Sequence, residues 1–80
     1  MKARVHVTLK REVLDPQGEA VRRALVSLGF AAVRDVRVGK LVEIEIEGTD
    51  RAGVENDLRA MCEKLLANAI IEEFTFEIVG

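Results

Sequence analysis

The chain has no tryptophan or tyrosine, and only one cysteine, one histidine and one proline among its 80 residues. A lone cysteine excludes an internal disulfide, and one cysteine with one histidine is too few for an ordinary structural zinc site. Long apolar runs are missing as well, so no segment is expected to span a bilayer. The amino terminus, Met1-Lys2-Ala3-Arg4-Val5-His6, alternates in polarity where a signal peptide would be continuously apolar. A reducing, cytoplasmic setting is the expectation.

What is present is 49% hydrophobic and 32% charged residues, the composition of a folded chain and not of a disordered one. The length predicts one small domain, residues 1–80, with a marginal core. Such domains are usually supplemented by disulfides, a metal or a partner. With the first two excluded, self-association or docking is expected. The net charge of −2 hides an asymmetry: residues 1–40 carry nine Lys/Arg and four Asp/Glu, residues 41–80 three and ten.

Periodicity predicts six elements. Ala3, Val5, Val7 and Leu9 alternate with Arg4, His6 and Thr8 as a half-buried strand. Asp15-Pro16 reads as a helix start, with Asp as N-cap and Pro at the first helical position. Val21, Ala24, Leu25 and Leu28 form an apolar stripe, and Gly29 closes a helix over 16–28. Residues 33–38 are predicted as a second strand, although Val33, Val36 and Val38 do not share one face. Gly39-Lys40 supplies a turn into a third strand, on which Val42, Ile44 and Ile46 alternate with glutamates. Val54, Leu58, Met61, Cys62 and Leu65 mark a second helix ending near Asn68, and Phe74, Phe76 and Ile78 a last strand.

The order β-α-β-β-α-β predicts a ferredoxin-like α+β fold. Its four-stranded antiparallel sheet would have the order 4-1-3-2, with both helices on one face. The first strand would then lie between the third and the last. Its basic open face (Lys2, Arg4, His6) would be neutralised by Glu43, Glu45 and Glu47 on one side and Glu73 and Glu77 on the other. The charge asymmetry thus belongs to the sheet and points to no polyanion.

Reactive chemistry is hard to find. An RNA-binding sheet of this topology needs aromatic rings where this chain has Arg4, His6, Glu43 and Glu45, and Phe30, Phe74 and Phe76 read as core. Nucleic acid is therefore not an expected partner. The evenly spaced Glu43, Glu45 and Glu47 read as solvated, ion-paired charge, and Cys62 as a small buried hydrophobe. His6 has no nucleophile beside it. No catalytic, cofactor-binding or metal-binding residue is expected, and no catalysis from the isolated chain.

Particular strings carry more information than the fold. Val13-Leu14-Asp15-Pro16-Gln17-Gly18, Ala24-Leu25, Leu28-Gly29-Phe30, Val36-Arg37 and Gly39-Lys40 resemble the PurS family. Met61-Cys62-Glu63-Lys64-Leu65-Leu66-Ala67-Asn68 and Ile71-Glu72 extend the likeness over nearly the whole chain. Ala69 and Phe74 depart from it, standing where the family often has proline and tyrosine. The resemblance implies a small, non-catalytic subunit of phosphoribosylformylglycinamidine (FGAM) synthase in purine biosynthesis. That enzyme uses ATP and glutamine-derived ammonia to convert formylglycinamide ribonucleotide to its amidine.

The implied partners are a second copy (homodimer or tetramer), the synthetase subunit PurL and the glutaminase subunit PurQ. ATP and magnesium are expected on the large subunit, and no membrane is implied. A subunit of this kind would bridge its partners and help ammonia pass between them. Asp15, Gln17, Arg37, Lys40 and Asn68 are the candidate interface residues, polar and expected to be exposed. Two rivals share the element order. An ACT-like regulatory domain would need a glycine-bearing loop after the first strand, which Gly18 only loosely echoes. An acylphosphatase-type enzyme would need an anion cradle where Lys10-Arg11-Glu12-Val13-Leu14 stands.

Overall fold

In the computed structural model, which describes residues 1–79, the alternating segments form β1 (Lys2–Leu9), β2 (Lys40–Glu45) and β3 (Glu72–Val79). They make one antiparallel sheet in the order β2-β1-β3. Val5 of β1 faces Val42 on one side and Phe76 on the other, so apolar positions meet apolar ones across the sheet. Helix α2 (Arg51–Met61) covers this face. Val54, Leu58 and Cys62 pack with Ala3, Val5 and Val7 into the core.

On the open face, Lys2 reaches Glu43 at 3.2 Å, and Arg4 lies 3.6 Å from Glu43 and 4.0 Å from Glu77. Lys2 and then Arg4 hold the Glu43 carboxyl below its usual range. Of the five glutamates expected to neutralise the basic strand, Glu43 and Glu77 form its ion pairs.

Three expectations need correcting. The sheet has three strands, not four in the order 4-1-3-2, because residues 33–38 form no strand. Their polar groups are used elsewhere: the Val38 N–H donates to Asp15, and Arg37 turns back to the carbonyls of Lys10 and Val13. Without that strand, helix α1 (Pro16–Ser27) is not drawn onto the sheet, and none of its side chains joins or packs against the core. The apolar stripe stays open, with Val21 40% and Leu28 73% exposed. Phe30, read as core, is 57% exposed for the same reason.

The third correction concerns the second helix, whose last turn widens into a π-helical segment, Cys62–Leu66. The extra residue rotates the apolar stripe by one position. Leu65 consequently faces outward, while Leu66 packs on the core and Ala67 is buried within it.

Residues 10–39 therefore form an arm inserted between β1 and β2 and projecting from the sheet. The Cα radius of gyration is 16.0 Å, against about 12 Å for a compact chain of this length. The longest dimension is 49 Å and the shortest 14 Å.

Candidate functional site

The five candidate residues cluster at the root of this arm or at the turn before β3. Asp15 is the N-cap of α1, its Oδ1 accepting from the Gly18 N–H at 2.9 Å. Its Oδ2 accepts from the Val38 N–H at 2.8 Å, which ties the outgoing limb to the returning one. These two bonds, Gly18 first, hold the Asp15 carboxyl below its ordinary range, with the Arg37 guanidinium adding to the effect. Gly18 is required here, because a Cβ would run into the Val36 carbonyl oxygen of the returning limb.

Arg37 completes the closure, donating to Lys10 O at 2.9 Å and Val13 O at 3.0 Å. Asp15 and Arg37 thus form a clamp across the base of the arm. Asp15 is buried, contrary to the expectation that it lies on the surface.

Gln17 and Lys40 are exposed and, with Asp15, line a shallow cavity of about 270 Å³ between the arm root and the sheet. Glu72 closes one side of it and accepts from the exposed Asn68 N–H at 2.8 Å. Asn68 also accepts from the Ile70 N–H through its side chain, shaping the turn before β3. Four of the candidates therefore share the arm root, and Asn68 is joined to it through Glu72.

The sequence reading missed the arm's apolar side. Val21, Leu28 and Phe30 stand exposed and Leu25 half-buried, an apolar surface that packs on no core residue among the described residues. On the opposite flank, Glu19 accepts from Arg22 Nε at 2.9 Å and Arg23 Nε at 3.2 Å. The bond from Arg22, more than the one from Arg23, holds the Glu19 carboxyl at about 2. The stripe itself was the available signal, but an amphipathic pattern does not say which surface covers it.

Cys62 is fully buried beneath α2, and burial pushes its thiol up. His6 sits exposed on the open sheet face opposite Leu41 and Thr75. Among the described residues no group of three or more His, Cys, Asp or Glu side chains is placed to hold a metal ion, and no helix is long and apolar enough to cross a membrane.

A small sheet with a projecting helix whose apolar stripe stays open is the architecture of an assembly module, and the one cysteine is buried in its core. The chain belongs to the PurS family of FGAM synthase subunits, whose family model matches residues 2–80. It is 49% identical over 77 residues to the Bacillus subtilis phosphoribosylformylglycinamidine synthase subunit PurS, covering 96% of this chain and 90% of that one. The corresponding Methanocaldococcus jannaschii subunit is 39% identical, covering 96% and 93%.

The fold agrees with solved structures. The Bacillus subtilis PurS crystal structure superposes with a TM-score of 0.88 at 48% identity, covering 99% of this chain and 98% of that one. A chain of the Thermotoga maritima PurLQS structure gives 0.89 at 28% identity, covering 98% and 95%.

Proposed function

We propose that this chain is the non-catalytic small subunit of a cytoplasmic FGAM synthase, acting as a homodimer that joins the synthetase subunit PurL to the glutaminase subunit PurQ. The observation that carries the reading is the arm, with an uncovered apolar stripe on one side and a rigid polar root. Exposed apolar surface rimmed by charge is characteristic of protein–protein contact. A structural relative comes from a PurLQS structure, which supports the reading of a chain that works within a complex.

In this reading Gln17 and Lys40, exposed at one depression, and Asn68, exposed at the turn joined to it through Glu72, meet a partner subunit directly. Asp15 and Arg37 act through the backbone by fixing the direction of the arm. ATP and magnesium are held by PurL, and this chain carries no cofactor. Its contribution to the reaction is to hold the two enzymes so that ammonia released from glutamine reaches the synthetase site. The experiment is reconstitution of FGAM formation from PurL and PurQ with and without this chain, driven by glutamine or by ammonium. Glutamine-driven turnover should need the chain far more than ammonium-driven turnover. Equal rates in its absence would refute the reading.

A further inference from the structure

The direction of the arm is set at its root, because among the described residues no side chain of α1 joins or packs against the core. The returning limb, Val36 to Gly39, is threaded there between two backbones. On one side a Cβ at Gly18 would run into the Val36 carbonyl oxygen. On the other a Cβ at Gly39 would lie 2.7 Å from the Val7 carbonyl oxygen and 2.8 Å from the Thr8 methyl carbon of β1. Glycine at both positions lets helix, limb and strand approach more closely than a side chain would allow. Three hydrogen bonds lock the joint: the Val38 N–H donates to Asp15, and Arg37 Nη2 donates to both the Lys10 and the Val13 carbonyl.

We infer that Arg37 is a positioning residue for the glutamine-driven reaction, holding the arm at one angle to the sheet so that whatever binds the arm and whatever binds the sheet stay aligned. The inference rests on the subunit reading above and adds the residue on which the orientation depends. Asp15 also caps α1, so its loss harms the helix as well as the joint. Arg37 caps no helix. Both its bonds come from one nitrogen and land on the two ends of the Lys10–Val13 turn, which ties the outgoing limb to the returning one.

The leverage of this joint is large. At about 1.5 Å per residue the 12 residues of α1 span about 18 Å, so a rotation of about 20° at the root carries the far end about 6 Å. A misplacement of about 1 Å far from the chemistry can cost about a hundredfold in rate. A loosened joint therefore harms the step that needs two active sites aligned, the passage of ammonia released from glutamine. Synthesis fed by ammonium from solution needs the synthetase site alone and is spared.

The test is reconstitution with PurL and PurQ at saturating amounts of the chain. Arg37→Met removes both bonds at similar side-chain length, and Arg37→Lys restores one nitrogen able to serve both carbonyls. Gly18→Ala disturbs the same joint from its other side with Arg37 intact. Separate preparations in a Cys62→Ala background carry spin labels at Ser27→Cys on α1 and Thr75→Cys on β3, so that the arm–sheet distance is read within the complex, diluted with unlabelled chain. With Arg37→Met and with Gly18→Ala, glutamine-driven turnover should fall about tenfold or more while ammonium-driven turnover stays within about twofold. The distance should broaden or shift by about 5 Å, and Arg37→Lys should bring the glutamine-driven rate back to within about threefold of the unsubstituted complex. Unchanged glutamine-driven turnover in Arg37→Met overturns the inference, and so does a fall with the distance unmoved. Recovery of the Arg37→Met rate on adding more chain makes Arg37 an affinity residue and overturns it equally. If omitting the unsubstituted chain leaves glutamine-driven turnover unchanged, the subunit reading itself falls and this inference with it.

Discussion

Phe30→Ala is the most direct perturbation of the arm. The ring is 57% exposed in the single chain and packs on no core residue, so its removal leaves the sheet and α2 untouched. In a homodimer that buries the arm's apolar stripe it would give up roughly 90 Å² of apolar burial, allowing for the methyl group that remains, or about 2 kcal/mol at 25 cal/mol per Å². Two-fold symmetry makes the loss count twice per dimer, about 4 kcal/mol in all. That raises the dimer dissociation constant on the order of a thousandfold. Sedimentation equilibrium over a wide concentration range reads the constant directly. Urea unfolding of both proteins, at a concentration where each is monomeric, should agree within about 0.5 kcal/mol. A change in dissociation constant below tenfold, with unfolding unaltered, would show that Phe30 is not buried on assembly and refute the reasoning.

Four further outcomes follow from the geometry. Dilution through the dimer dissociation constant should remove about two-fifths of the far-ultraviolet helical signal, the share of α1 among the helical residues; a monomer of undiminished helicity would contradict this. Leu58→Ala empties the centre of the core, where the side chain is fully buried, and should cost about 2–5 kcal/mol in chemical denaturation. Because the folded-state pKa of Asp15 is depressed, its stabilising contribution is present above the unfolded value of about 3.9 and is lost as the pH falls through the lower folded value. Hydrogen exchange at the Gly18 and Val38 amides should accelerate in that acid window, and Asp15→Asn should remove the acid dependence. Cys62 should resist a thiol reagent in the native protein and react on unfolding; rapid native labelling would place it outside the core.

Much of the fold was readable from alternation and capping alone. Strict two-residue periodicity located β2 and β3, and the expected order, though it counted one strand too many, correctly placed β1 between them. The Asp15-Pro16 start and the positive φ of Gly29 bounded α1 as the local rules require. The failures have physical causes. Residues 33–38 have high strand propensity, but propensity does not reveal that an aspartate 23 positions earlier takes the Val38 N–H. The stripe on α1 declares that something covers it, and the same pattern serves a surface in the same chain or in another. The π-helical turn is a matter of one residue, and one residue was enough to move Leu65 from the core side to the outside.

Of the candidate residues, sequence spacing brought Asp15, Gln17, Arg37 and Lys40 to attention as parts of separate strings. Only the folded arm root shows that they adjoin, and that Asp15 and Arg37 spend their hydrogen-bonding capacity on the backbone.

Among the described residues, the strands β2 and β3 each keep one flank without a neighbour, the usual invitation to runaway polymerisation. Glu43 and Glu45 on β2, and Glu73 and Glu77 on β3, stand on the open face of those outer strands. Laying two identical flanks side by side in opposite directions would set carboxylate rows against each other, a repulsive arrangement. The acidic residues beside the central strand thereby disfavour edge-to-edge growth of the isolated subunit.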